Sequence, residues 1–137
     1  MAPEAREHSR TRRYTAVGTG ALFAGALAYI GLADPHGPGF FAPPCPFLHL
    51  TGWWCPGCGG LRMTHDLLHG DLAAAATDNL FLLVGLPLLA AWIVIRRRRR
   101  EPVLPAAVIV VLVLAAITWT VVRNLPGFPL VPTLDPG

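Results

Sequence analysis

Three cysteines carry most of the chemistry legible in this chain. Cys55 and Cys58 are spaced C-x-x-C within Cys55-Pro56-Gly57-Cys58-Gly59-Gly60, and Cys45 lies upstream beside Pro46. His49, His65 and His69 are near them in sequence. Such a cluster can close a disulfide, hold a metal or exchange electrons. Its odd thiol count leaves two main arrangements. Either two thiols pair and the third stays free or serves as an exchange partner, or all three bind a metal and a histidine completes a tetrahedral Cys3His set. Zinc is the ion that set would take, with Cys45, Cys55, Cys58 and one of His49, His65 and His69 as ligands. A structural zinc site ordinarily has two C-x-x-C clips, and here there is one.

The redox reading has its own physical support. Cys55 and Cys58 stand just before a helix expected to begin near Gly59, and unpaired amides at a helix start favour a thiolate. These two cysteines are the candidate catalytic pair of that reading. A structural disulfide stapling a short loop is the third option.

The other polar residues are expected to support the loop. Residues 61–69 read as a short amphipathic helix with Arg62, His65, Asp66 and His69 in one arc and Leu61, Met63, Leu67 and Leu68 opposite. His65 and His69 are i and i+4, a spacing that can chelate a divalent ion. Arg62 and Asp66 share that spacing and would form a weak pair, or Arg62 could stabilise a thiolate. Asp78, Asn79 and Arg123 fall at the ends of apolar segments, where ionisable groups tend to find each other. An Asp78–Arg123 pair is the expectation there.

The elements positioning these residues are apolar. Hydrophobic residues make up 53% of the 137-residue chain and charged residues 14%, too little polar surface for an ordinary soluble globule. Three runs, 16–33, 80–95 and 103–122, lack Lys, Arg, Asp and Glu altogether. Crossing roughly 30 Å of hydrocarbon takes about 20 helical residues, so the first and third suffice and the second must borrow from 72–79. The fold class is therefore all-α membrane, three transmembrane helices with a cysteine loop and short amphipathic helix between the first two. Residues 1–15 read as a disordered basic arm, 16–123 as the membrane domain with its loop at 34–79, and 124–137 as a Pro-rich tail. Asp34-Pro35-His36-Gly37 ends the first helix, Gly70 ends the amphipathic one, and Asp71 caps the next. Small residues such as Gly20 and Ala24, or Ala21 and Gly25, would let another helix approach the first span closely.

Charge placement sets an orientation. The net charge is +3, with Arg6, Arg10, Arg12 and Arg13 before the first run and Arg96 to Arg100 after the second. Residues 34–79 hold one Arg against Asp34, Asp66, Asp71 and Asp78. Positive charge flanking spans marks the cytoplasmic side, which puts the N-terminus inside and the loop and C-terminus outside. That placement argues for a lipid bilayer as the partner and against nucleic acid. The first run exceeds the apolar core of a cleaved export signal and is read as a retained span.

At these residues the chain resembles a known family. Cys45-Pro46 … Thr51-Gly52-x-x-Cys55-Pro56-Gly57-Cys58-Gly59-Gly60-Leu61-Arg62, then Leu67-Leu68-x-Gly70-Asp71 and Asn79, is similar to the signature of domain-of-unknown-function family 2752. The resemblance covers roughly residues 40–95 and implies a small multi-span protein of a bacterial inner membrane, with no reaction attached. Leu61 and Leu80 stand where members often have Thr and Pro. The reading that follows is a small partner or assembly protein, acting on another membrane protein or on itself, whose loop builds a structural or binding site. Thiol–disulfide exchange through Cys55 and Cys58, and metal handling, are its alternatives.

Overall fold

The computed structural model describes residues 3–37, 39–41 and 43–131. The described residues form five helices: α1 (Pro3–Leu32), α2 (Pro46–Thr51), α3 (Gly60–Leu68), α4 (Leu72–Arg98) and α5 (Ala106–Arg123). No strand occurs among the described residues. Three stretches, Arg10–Leu32, Leu72–Arg98 and Ala106–Arg123, are long and apolar enough to cross a membrane. Their side chains are almost wholly uncovered: Leu22, Phe23, Leu88 and Val111 are each more than half exposed. A soluble monomer rarely exposes apolar surface on this scale, and lipid accounts for it. These helices fit a multi-pass membrane protein.

The first helix begins earlier than its apolar run. Residues 3–15, read from sequence as an unstructured arm, continue α1 without a break. Proline is well placed in a first helical turn, where its missing N–H has no partner to lose, and the arginines that follow are good helix formers. Of the N-terminal arm, residues 1 and 2 lie outside the described residues, as do 132–137 of the tail.

The three spans alternate in direction. The ends of α1 and α5 and the start of α4 all meet the cysteine loop: Ile30 and Arg123 bond to residues of the loop and α3, and Arg123 also reaches Asp78. Arg96 to Arg100 therefore sit at the far end, where Arg96 pairs with Glu101 and donates to the Pro102 carbonyl at 3.1 Å. Trp92 Nε1 donates to the Val103 carbonyl at 3.0 Å in the same turn, with the Arg96 guanidinium over its ring. Gly18, Gly20 and Gly25 have open space where a Cβ would stand, so within the single chain no helix approaches the small residues of α1.

Two helix boundaries follow local sequence. Asp71 accepts from the Ala74 amide at 2.9 Å, satisfying one of the orphan donors at the start of α4, and Gly70 supplies the left-handed turn before it (φ +79°). Asn79 leaves helical geometry inside α4 (φ −159°, ψ 83°). Its Oδ1 accepts from the Leu82 amide at 3.0 Å and so caps the apolar half of α4 from within.

The amphipathic helix buries residues from both of its faces. On α3, Met63 and Asp66 are buried whereas Leu61, Leu67 and Leu68 are 44–50% exposed. Of the polar arc, Asp66 turns inward, Arg62 and His65 are half-buried and His69 is exposed. Leucines left uncovered beside membrane spans fit contact with lipid.

Candidate functional site

The cysteine loop closes on itself around its sulfur atoms. Cys45 stands immediately before α2, and Cys55 and Cys58 lie in the turn leading to α3. Cys45 Sγ is 3.5 Å from Cys55 Sγ and 3.4 Å from Cys58 Sγ, and the Cys55 amide donates to Cys58 Sγ at 3.2 Å. All three thiols are free. The disulfide staple expected as one reading of the sequence is not formed in this structure.

Glycine makes the turn feasible. Gly59 adopts φ +83°, a conformation costing a residue with a Cβ roughly 1–2 kcal/mol. Gly60 packs so that a Cβ would come within 3.0 Å of Leu82 Cδ1. Replacing Gly59 with alanine should lower the stability of the detergent-solubilised protein by about 1–2 kcal/mol, measurable as a shift in its thermal unfolding.

Buried donors from α4 and α5 hold the loop in place. Asn79 Nδ2 donates to the carbonyls of Pro56 and Cys58, each at 3.0 Å. Arg123 donates from Nη1 to the Cys58 carbonyl at 2.7 Å and from Nη2 to the Asp78 carbonyl at 2.5 Å. Its guanidinium carbon lies 5.8 Å from the Trp54 ring centre and 5.7 Å from that of Trp119. Asn124 pairs with Trp54 in both directions, accepting from its amide at 2.9 Å and donating to its carbonyl at 3.0 Å. Asn79 and Arg123 are the largest fully buried side chains among the described residues.

Cys45 and Cys58 are shifted in opposite directions. Cys45 is held below the usual thiol range, chiefly by the Leu48 amide and then by the thiols of Cys58 and Cys55. Cys58 is pushed up to about 12, first by burial and then by the two neighbouring sulfurs. The thiol nearest the start of α3 is therefore the reluctant one. The helix-start amides expected to favour a thiolate in the Cys55–Cys58 pair are outweighed at Cys58 by its burial.

No histidine joins the sulfur group. His49 is exposed on α2, while His65 Nδ1 lies 2.7 Å from the Ile30 carbonyl and its ring 4.2 Å from that of His69. Arg62 Nε donates to the Pro35 carbonyl at 3.3 Å. Asp78 and Arg123 do meet, but through the Asp78 backbone; the Asp78 carboxylate turns instead to His36 Nε2 at 3.2 Å. His36 is the polar residue sequence reasoning passed over, since residues 34–37 read only as a helix stop. Its spacing two after Asp34, which suits a local Asx turn, is the signal that could have marked it.

The thiols lie in an open groove of about 390 Å³ whose walls include Pro35, Phe40, Leu48 and Trp54. The groove gives the sulfur group access from one side only, with the buried Arg123–Asn79 layer behind it. Residues 45–93 match the model of the family described as Protein of unknown function (DUF2752). The likeness covers this 49-residue segment, about a third of the chain. That segment runs from Cys45 of the sulfur cluster to Ile93 within α4, and so contains the loop, α3 and most of the second span. No curated protein and no solved structure matches the chain significantly. Arg123, which secures the DUF2752 loop, lies beyond the matched residues.

Proposed function

We propose that the DUF2752 segment forms a thiolate metal centre, and that the protein handles a thiophilic cation, zinc in first place, at a membrane surface. The observation carrying this reading is the spacing of three free sulfurs. A zinc ion bonded to sulfur at about 2.3 Å in tetrahedral geometry separates its ligands by about 3.8 Å. The two Sγ–Sγ distances given above, 3.4 and 3.5 Å, need only a slight opening to reach it. Exchange chemistry would also use a third sulfur, as the attacking thiolate on a disulfide, and the metal count below separates the two readings.

With no fourth ligand in the cluster among the described residues, the open groove offers the remaining coordination position to water or an incoming ligand. Centres with three protein ligands are those that exchange or activate, whereas closed four-ligand sites are structural. The arginine clusters at the opposite end support a loop facing the extracytoplasmic side. Bound metal would there keep the thiols from oxidising.

Metal content and thiol count of the full chain, purified without chelator, test the reading. The expected result is one zinc per chain and three thiols that become titratable only after chelation. Cys45→Ser should weaken zinc binding by at least about 100-fold in competition with a chromogenic chelator, since two thiolates alone make a poor site. A reversible disulfide with no metal would favour exchange chemistry instead.

A further inference from the structure

A second polar cluster lies beside the sulfur site, on residues outside the expected ligand set. His36 Nε2 is 3.2 Å from Asp78 Oδ2 and 3.9 Å from Asp66 Oδ2. One ligand atom from each of the three residues falls within 4.8 Å of the others. Asp66 and Asp78 are buried, with 7% and 4% of their surface exposed, and among the described residues neither carboxylate forms an ion pair with an arginine; Arg123 reaches Asp78 through its carbonyl. Asp66 Oδ2 has no hydrogen-bond partner at all and is turned into the cluster. Two buried carboxylates side by side, one with an orphaned oxygen, call for a positive charge between them.

The imidazole is oriented for a cation. His36 Nδ1 lies 3.0 Å from Asp34 Oδ1, and the His36 amide donates to that same oxygen at 2.8 Å. A carboxylate accepting from Nδ1 leaves the Nε2 lone pair directed at Asp66 and Asp78, the arrangement that commonly supports metal-ligating histidines. Ligands about 2.0–2.2 Å from a tetrahedral zinc-sized ion stand about 3.3–3.6 Å apart, and the His36–Asp78 distance of 3.2 Å needs only a slight opening to reach it. Asp66 has to move inward by about half an ångström.

We propose that His36, Asp66 and Asp78 bind a divalent transition-metal ion of borderline hardness, at a site distinct from the cysteine triad. One imidazole and two carboxylates suit zinc, iron(II), manganese or cobalt, and disfavour the soft ions that sulfur prefers. The two sites share a scaffold: Arg123 donates to the carbonyls of Cys58 and Asp78, one residue from each ligand set. The proposal does not rest on the thiolate reading.

Cobalt(II) separates the two, because thiolate ligation gives an intense charge-transfer band that nitrogen and oxygen ligands lack. The full chain in detergent, titrated anaerobically with cobalt(II), is expected to take two equivalents. Asp66→Asn and His36→Gln should each take one, with the thiolate band unchanged; His36 is partly exposed, so its variant folds even if the buried one does not. Asp34→Asn should weaken the second equivalent by about 10–100-fold without abolishing it. A wild-type protein binding one equivalent with no thiolate band, lost in His36→Gln, would support this site and sink the cysteine one. Two equivalents retained in His36→Gln, or a single sulfur-bound equivalent in the wild type, would overturn the proposal, leaving the carboxylates to share a proton with His36.

Discussion

Replacing Arg123 with methionine should destabilise the protein by about 3–6 kcal/mol and open the cysteine loop. Arg123 is 1% exposed and gives its two Nη groups to the carbonyls of Cys58 and Asp78. Hydrogen bonds from a charged donor contribute about 1.5–3 kcal/mol each, and methionine would leave both carbonyls facing an apolar side chain. The stacking of the guanidinium between Trp54 and Trp119 would go as well. Arg123→Lys should recover only part of the loss, since one ammonium on a flexible stem does not reproduce a planar fork that spans two acceptors. Two measurements check this: thermal unfolding in detergent, and the alkylation rate of Cys58, which is 8% exposed and should change from protected to reactive. Unaltered protection of Cys58 in the methionine variant would show that the loop is secured by something else.

Asn79→Ala should follow closely, at about 2–4 kcal/mol. One side chain here performs two tasks. Its oxygen caps the apolar half of α4 at Leu82, and its amide nitrogen supplies the Pro56 and Cys58 carbonyls. Losing a cap costs about 1 kcal/mol, and stranding a buried carbonyl about 1–3 kcal/mol. Asn79→Asp separates the tasks, because a carboxylate still accepts from the Leu82 amide but repels the two loop carbonyls. The aspartate variant is therefore expected to keep its helix content by circular dichroism while its three cysteines become more reactive. Protected cysteines in that variant would assign Asn79 to capping alone.

Both effects depend on contacts that join distant parts of the chain, and this divides what was legible in the sequence from what was not. The spans could be read because hydrocarbon thickness constrains a local property, uncharged length. Asp71 and Gly70 could be read as boundary residues because capping is decided within four residues. Cys55 and Cys58 announced themselves by their spacing. The partner of Arg123 could not be read in the same way. Charge alone suggested the Asp78 carboxylate, whereas the buried guanidinium meets backbone oxygens that any residue could have offered.

His36 and Asp66 illustrate a second limit. The polar arc of α3 was visible, but not which of its members turned inward, since the usual rule sends polar residues outward. With Asp66 directed inward, His36 and Asp78, 30 residues before it and 12 after, converge on one point. Likewise the histidine expected to complete the cysteine set was chosen for nearness in sequence. His49 is exposed on α2 and His65 is engaged with the Ile30 carbonyl, so neither enters the sulfur group.

The thiolate centre stands or falls on the atoms around its metal. X-ray absorption at the zinc edge, on the His36→Gln protein isolated anaerobically so that only the cysteine site contributes, counts them directly. Three sulfur neighbours at about 2.3 Å, with one lighter atom in the remaining position, is the expected shell. A shell of nitrogen and oxygen alone, or protein that carries no zinc and a disulfide between any two of Cys45, Cys55 and Cys58, would contradict it.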